Sequence, residues 1–516
     1  MVNFMQFVTI LVLLSCIHID TSIGYKILLL CPSPTRSHFV LMKSKADILH
    51  SNGHEVTIIT GYPTGRQNFS NYEEILVPEL ATMRSNHNGF EISNYGHFII
   101  SLGWLYTTKY VTDLVFANSD FVDMLTDKKR TFDLVIFEDL VSQHFIGLGV
   151  RFACPVILTS STVQPHWLAR LSGDFPAAST VPHQFQAFAQ RDMTRSVFQR
   201  AANTVSVIVD EILYQILMLP LQRYLYQKYF PDESMVFPFS ELPKKVALVF
   251  LNTHPSIGEV RPLLPNSVEI AGFHLEDKPL PEDLRDILNS NDEGAIFFSL
   301  GGNLNMSRLP TELKSDLLKA FGELKQTVLW KLDEKLAVPA NVIIRKWFPQ
   351  GSVLAHPKVK LFITHCGMLS LTEASGAGVP LVILPVYGDQ RHNAEGARSR
   401  GQGVVVEASN FTAEAVRWAV QEVLNNDSYK KVAKQIQVSF FDRPMPPREM
   451  INFYSEHVVK TRGAGHLAPP DMGLLSILML DVAAILLLPP LLILSVLIYS
   501  CKRWRSWKSG LVKKNN

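Results

Sequence analysis

The chain has 516 residues, too many for one ordinary core and enough for two or three domains. Hydrophobic residues make up 47% and charged residues 19%, which fits a globular body carrying additional membrane-facing sequence. The formal net charge is +2 with no long block of one sign before the last sixteen residues, which argues against a nucleic-acid partner, and five cysteines (16, 31, 154, 366 and 501) form neither a disulfide framework nor a metal-ligand spacing.

In chain order, residues 1–24 read as a signal peptide, with an apolar run at 4–15 and small residues Ser22 and Gly24 at a cleavage site. The first α/β half, 25–260, opens with the β-rich run YKILLLC (25–31). A helix at about 39–51 follows, with Phe39, Met42, Ala46 and Leu49 on one face, and Gly53 caps it before EVTIIT (55–60). FDLVIFE (132–138) and PVILTS (155–160) continue a parallel sheet with right-handed crossovers. Residues 163–240 are richer in aromatics, Met and Gln. A Pro-rich stretch at 255–285 reads as an interdomain linker.

The second half, 261–445, restarts the alternation with AIFFSL (295–300), TVLWKL (327–332), NVIIRKW (341–347), VKLFIT (359–364), LVILP (381–385) and VVVE (404–407). The expected fold class is α/β: two doubly wound domains facing a cleft, with ligands at the carboxyl ends of the strands. A return helix and juxtamembrane segment occupy 446–473. A transmembrane helix occupies 474–500, its uncharged part at 482–499 being about as long as the bilayer core requires. Asp481 is placed near the interface, because an intramembrane carboxylate is costly, and Pro489 and Pro490 should kink the helix. The tail, 501–516, has six Lys or Arg and no acid, so the positive-inside rule puts it in the cytosol and the body in the lumen. Lys513 and Lys514 stand where a dilysine retrieval signal to the endoplasmic reticulum would, implying coat-protein machinery as a partner beside membrane lipid. Sequons at Asn68, Asn305, Asn410 and Asn426 are compatible with a luminal body.

The most informative segment is 345–396. FITHCG is a strand ending in His365 and Gly367 at the start of a helix, a geometry that aims backbone N–H groups at an anion and binds diphosphates without a metal. Glu373 lies two turns into that helix. Trp347, Pro349 and Gln350 offer an aromatic face and an amide for a planar base, and Asp389 with Gln390 ends the next strand with groups suited to sugar hydroxyls.

This segment closely resembles the signature of UDP-glycosyltransferases, the family of UDP-glucuronosyltransferases and arthropod UDP-glucosyltransferases. The resemblance extends to the N-terminal GHEVT, the FSLGG loop at 298–302, the membrane helix and the tail. It implies a pair of Rossmann-like domains of the GT-B type and inverting chemistry that needs no metal or cofactor, the UDP-sugar being a co-substrate. Trp347 would then stack on uracil, Gln350 would bond the nucleoside, and Glu373 would hold the ribose. His365, Gly367, Ser299 and Gly301 would surround the diphosphate, and Asp389 with Gln390 would bind the transferred sugar.

Two departures stand out. His365-Cys366-Gly367 replaces the usual HGG and should put a thiol beside the phosphates. Leu369 stands where vertebrate members have Asn, so that contact should pass to backbone or Ser370.

In the other half, His38 follows the first strand and would deprotonate the acceptor hydroxyl, with a carboxylate after FDLVIF to orient it. Glu138 is favoured by ungapped comparison and Asp139 by residue type. The acceptor is expected to be a small lipophilic molecule bound in the 60–240 region, giving β-glycosides for detoxification or inactivation. UDP-glucose is the expected donor, because no cation is identifiable for a glucuronate carboxylate, although Arg391 and His392 lie near; glucuronosyl transfer is the alternative. A membrane-anchored lipophile carrier without catalysis is disfavoured by the presence of His38, both acids, Asp389 and Gln390. SLGGN lacks the G-x-G-x-x-G spacing of a nicotinamide enzyme. Self-association is left open.

Overall fold

The computed structural model describes residues 24–66, 68–83, 97–174, 177–183, 190–194, 196–302, 304, 306–469, 476 and 479–514. The apolar run of the signal peptide and the sequon at Asn305 lie outside the described residues.

The chain divides into a body ending at Ala468 and a C-terminal unit beginning at Pro469. Within the body, seven strands form one sheet: β1 (Lys26–Leu30), β2 (Glu55–Thr60), β3 (Tyr72–Leu76), β4 (Leu134–Glu138), β5 (Val156–Ser160), β6 (Val246–Leu251) and β7 (Ser267–Glu269). Their spatial order is β3-β2-β1-β4-β5-β6-β7. Six more form a second sheet: β8 (Ala295–Ser299), β9 (Thr327–Lys331), β10 (Val342–Arg345), β11 (Val359–Thr364), β12 (Leu381–Ile383) and β13 (Gly403–Val405). Their order is β10-β9-β8-β11-β12-β13.

Every pairing is parallel. Parallel strands covered by helices on both faces must be apolar throughout, which is why β4, β5, β6 and β8 are buried at every position. In each sheet the strand order reverses at one place, between β1 and β4 and between β8 and β11. Helices leaving these neighbours diverge to opposite faces and open a crevice at the carboxyl ends of the strands.

The structure corrects the domain boundary. The first sheet does not end at 260, because β7 at 267–269 pairs with β6. Part of the Pro-rich stretch is thus sheet, too short and proline-flanked to show an alternation. β3 and β6 also escaped the sequence reading. The first helix starts earlier than expected, spanning Arg36–Ser51, so His38 lies in its first turn. Near the end of the body, the helix Pro447–Lys460 returns to the first half, where Ile451 and Val458 join a core containing Ile27, Leu41 and Ile58. His54 Nε2 lies 3.0 Å from Asn452 Oδ1 beside this contact.

The C-terminal unit is dominated by the helix Leu480–Lys514, which carries Asp481 in its first turn and contains Pro489 and Pro490. Its part Leu480–Lys508 is long and apolar enough to cross a membrane. The stretch Val197–Tyr229 meets the same criterion of length and composition. Of the remaining sequons, Asn68, Asn410 and Asn426 are exposed.

The return helix gives the first prediction. Ile451 is wholly buried whereas Phe453, two residues on, is half-exposed. Ile451→Ala should destabilise the body by about 2–5 kcal/mol through lost burial and a residual cavity. Phe453→Ala should cost well under half of that, and thermal unfolding of the two variants compares them directly.

Candidate active site

The two switch points carry the two halves of the site. In the first half, β1 pairs with β4 so that Leu30 stands opposite Phe137. That register sets Glu138 beside the turn leading into the helix Arg36–Ser51. His38 Nδ1 lies 2.6 Å from Glu138 Oε1. Glu138 is almost wholly buried, while His38 keeps some solvent access. The thiol of Cys31 reaches Glu138 Oε2 at 3.9 Å. Burial resists ionisation of Glu138, but the His38 imidazole, Ser161 and the buried Lys45 outweigh it and hold the carboxyl below its ordinary range. Lys45 itself is drawn down to about 8 by burial, against the pull of Glu138 and Cys31.

Of the two acids, only Glu138 is placed against His38. Successive strand residues point to opposite sides, so when Glu138 faces His38 its neighbour cannot. Asp139 turns instead to the following loop, where Oδ1 accepts the Ser142 N–H at 2.7 Å. Burial, followed by repulsion from Glu138, pushes Asp139 up to about 6 against the Ser142 bonds.

In the second half, β8 and β11 pair with Ser299 opposite Thr364. The loops that follow these strands therefore meet. His365 is gripped between two glycines: a Cβ on Gly301 would come within 2.7 Å of the ring, and one on Gly367 within 2.7 Å of Nε2. Gly301 also has φ +78°, a left-handed conformation that favours glycine. The Ser299 hydroxyl is buried and accepts the Gly301 N–H at 3.3 Å, so it braces the loop. Burial, with Lys331 nearby, lowers His365 to about 4.

Gly367 is the N-cap of the helix Met368–Ala377, which presents its first-turn N–H groups here. The structure overturns the placement of a thiol beside the phosphates. Cys366 is wholly buried and packs with Phe297, Phe362 and Leu371. Its φ of 61° is the left-handed conformation that glycine adopts without strain, which accounts physically for the glycine usual in HGG. Leu369 is spent on packing against the core of the first half.

Gln350, Ser370 and Glu373 do come together. The Gln350 amide donates to Ser370 Oγ at 3.1 Å and to Glu373 Oε2 at 2.5 Å. Burial, only partly offset by Gln350, pushes Glu373 up to about 7. Trp347 is 56% exposed and so free to stack on a ligand. Two cations that the sequence reading missed flank it: the Arg36 guanidinium lies 5.0 Å from the ring centroid and Lys331 Nζ 4.9 Å. Lys331 also donates to the Gly301 carbonyl at 2.7 Å. Arg36 precedes Ser37-His38 directly, the one signal that could have marked it.

Asp389 stands at the N-cap of the helix Gln390–Arg400 and accepts from Asn393 Nδ2 at 2.8 Å. Burial raises this carboxyl, while Asn393, His38 and His392 pull it back, so Asp389 feels His38 across the crevice. Asn393 was legible as an i, i+4 partner of Asp389. Gln390 is corrected in part: its carbonyl oxygen accepts the N–H groups of Val386 and Tyr387 at 2.8 and 3.1 Å and shapes the loop. His392 is corrected too, being buried against Glu259.

The family model described as UDP-glucoronosyl and UDP-glucosyl transferase matches residues 26–515. The UDP-glycosyltransferase UGT5 of Dactylopius coccus is 29% identical over 495 residues, covering 94% of this chain and 93% of its own length. The UDP-glucuronosyltransferase 1A1 of Mus musculus is 27% identical, covering 93% and 92% respectively. Among solved structures, the spinosyn forosaminyltransferase SpnP has TM-score 0.56 at 17% identity over 85% of this chain and all of its own. A UDP-glucosyltransferase from Polygonum tinctorium has TM-score 0.54 at 16% identity over 85% and 98%. These likenesses show the GT-B fold, and the match across nearly the whole sequence shows that the chain belongs to the UDP-glucuronosyl and UDP-glucosyl transferase family and is a glycosyltransferase.

Proposed function

We propose that this enzyme transfers a hexosyl group from UDP-glucose to the hydroxyl of a small lipophilic acceptor, with inversion to a β-glycoside. The observation that carries the reading is the His38–Glu138 pair at the switch point of the first sheet, in a fold whose second sheet ends in Asp389 at its own crevice. Glu138, kept ionised, lies 2.6 Å from Nδ1 and would orient the ring so that Nε2 takes the acceptor proton. The imidazolium so formed is stabilised by the same carboxylate. Attack comes from the face of the sugar opposite UDP. Trp347, Gln350 and Glu373 would hold the nucleoside, and the N-terminus of the helix Met368–Ala377 with the His365 loop would hold the diphosphate.

The preference for glucose now rests on a different argument. Arg36 and Lys331 lie at Trp347, the nucleoside end. The sugar end carries the Asp389 carboxyl, and His392 there is already engaged by Glu259. A glucuronate carboxylate would therefore meet the Asp389 carboxyl with His392 unavailable to it, and Arg391, exposed beside Gln390, is the cation left near. Detoxification or inactivation of lipophiles, anchoring through the C-terminal apolar helix and retrieval to the endoplasmic reticulum through Lys513 and Lys514 complete the proposal.

His38→Ala should lower kcat towards a phenol about 10²–10⁴-fold while UDP affinity stays within a few-fold, because the donor contacts lie in the other half. Glu138→Gln should approach that defect and Asp139→Asn should not. Steady-state kinetics and calorimetric UDP binding read both quantities, and an active His38→Ala enzyme would overturn the mechanism. Full activity in Glu138→Gln would remove its assigned part.

The donor preference is tested by turnover with each sugar in turn. UDP-glucose should exceed UDP-glucuronate, and the reverse order would replace the reading with glucuronosyl transfer.

Glu373 adds a pH dependence. Ribose hydroxyls donate to a carboxylate, and the ligand-free carboxyl titrates near 7. Ionisation is thus favoured by binding, so UDP-glucose affinity should be full above pH 7 and fall by up to about tenfold per unit below it. Glu373→Gln should flatten that profile in calorimetry. An equally steep profile in the variant would remove Glu373 from the site.

A further inference from the structure

The first half contains a second cluster of chemistry-bearing groups that the transfer reaction does not use. His166 begins the helix His166–Ser172, His183 lies in the segment 177–183, and Asp210 lies in the helix Val197–Leu213. Forty-four positions separate His166 from Asp210. No local spacing announces the cluster, and the sequence reading expected no metal ligand.

In space the three meet. His166 Nδ1 lies 3.2 Å from Asp210 Oδ2, and His183 Nε2 lies 3.0 Å from the same oxygen. One donor atom from each residue falls within 4.8 Å of the others. Two ligand atoms on a tetrahedral zinc, each about 2.0–2.1 Å from the metal, stand about 3.3 Å apart. The two histidine–Asp210 separations are close to that value, and the two imidazole nitrogens lie within 4.8 Å of each other.

His166 supports the assignment independently. Its side chain is more than nine-tenths buried, and neither ring nitrogen makes a well-aligned hydrogen bond. An imidazole buried without such bonds is an unexplained cost in a folded protein. His166 Nε2 faces Glu211 Oε2 at 3.9 Å. That is the side on which a metal-ligating histidine usually finds a carboxylate, and Glu211 would need to move in by less than about 1 Å to accept the N–H. Arg170 in turn pairs with Glu211.

Both histidines line a cavity of about 50 Å³ with Val163, Pro165, Ala178 and Val207. That is room for an ion and the water completing its coordination. Two imidazoles and carboxylates suit a borderline divalent transition ion and not magnesium or calcium, which take oxygen sets.

We propose that His166, His183 and Asp210 form a zinc-type divalent metal site that ties the segment 177–183 to the helices His166–Ser172 and Val197–Leu213. The site shares no residue with the His38–Glu138 pair, and its part is structural. The fourth position, open to the cavity, is filled by water.

The test uses the full chain in detergent, loaded with Zn²⁺, dialysed and assayed by plasma mass spectrometry. One zinc per chain is expected, with Tm raised by about 5 °C or more at saturation. His183→Ala and Asp210→Asn should each leave less than about 0.2 zinc, with far-UV circular dichroism reporting whether they fold. Control variants at His457, whose Nε2 lies 3.1 Å from His466 Nε2 on the surface, should keep full stoichiometry. Should the first two variants fail to fold, Co²⁺ added to the parent chain decides: intense visible bands mark a tetrahedral site, and weak octahedral bands overturn the proposal. So does zinc content that stays below about 0.1, that survives His183→Ala, or that is lost with His457.

Discussion

Glu138 has almost no contact with water, and the first half of the body is arranged to keep it charged. A buried carboxylate would ordinarily take up a proton. Here His38 lies against one oxygen, the Cys31 thiol approaches the other, and the buried Lys45 supplies a compensating cation. The register of β1 against β4 holds these groups together. A shift of one residue would send Glu138 to the wrong side and bring in Asp139, which serves its own loop. The meeting of His38 with Glu138 and the crevice beside them are thus consequences of one strand pairing.

The second half solves a different problem, the close packing of two loops around an imidazole at a helix N-terminus. His365 fits only because Gly301 and Gly367 present no Cβ to it. Cys366, between His365 and Gly367, keeps a left-handed backbone despite its side chain and directs that side chain into the core. Function and packing are divided within three consecutive residues: the ring lines the loop, the thiol fills the interior, and the glycine caps the helix.

Several contacts bind the halves into one body. Arg400 donates to the carbonyls of Ile257 and Gly258, and Glu259 pairs with both His392 and Arg261. Burial opposes the charge on Glu259, yet His392, Arg261 and Arg400 hold it down at about 2. Leu369 reaches the first core from the second half, and the helix Pro447–Lys460 adds Ile451 and Val458 to it. These contacts hold together the halves that carry Asp389 and His38. Residues that looked like spare sugar ligands, Gln390 and His392, are instead the parts that hold the loop and the interface.

The sequence by itself determined the two parallel sheets, the long apolar C-terminal helix and the segment 345–396, because each is written in neighbouring residues. Uninterrupted apolar runs such as VKLFIT read directly as buried strands, and β11 spans Val359–Thr364 as expected. His38 and Asp389 were legible from their places at strand ends. The tertiary structure alone decided that Glu138 and not Asp139 meets His38, since the side of a pleat facing a helix depends on register with a distant strand. It also decided the direction of the Cys366 side chain, which follows from a positive φ that no residue type announces. Arg36 and Lys331 beside Trp347, and His166, His183 and Asp210 beside one another, belong to segments far apart in the chain. Their proximity is a property of how helices cross the sheet, and one-dimensional spacing carries no record of it.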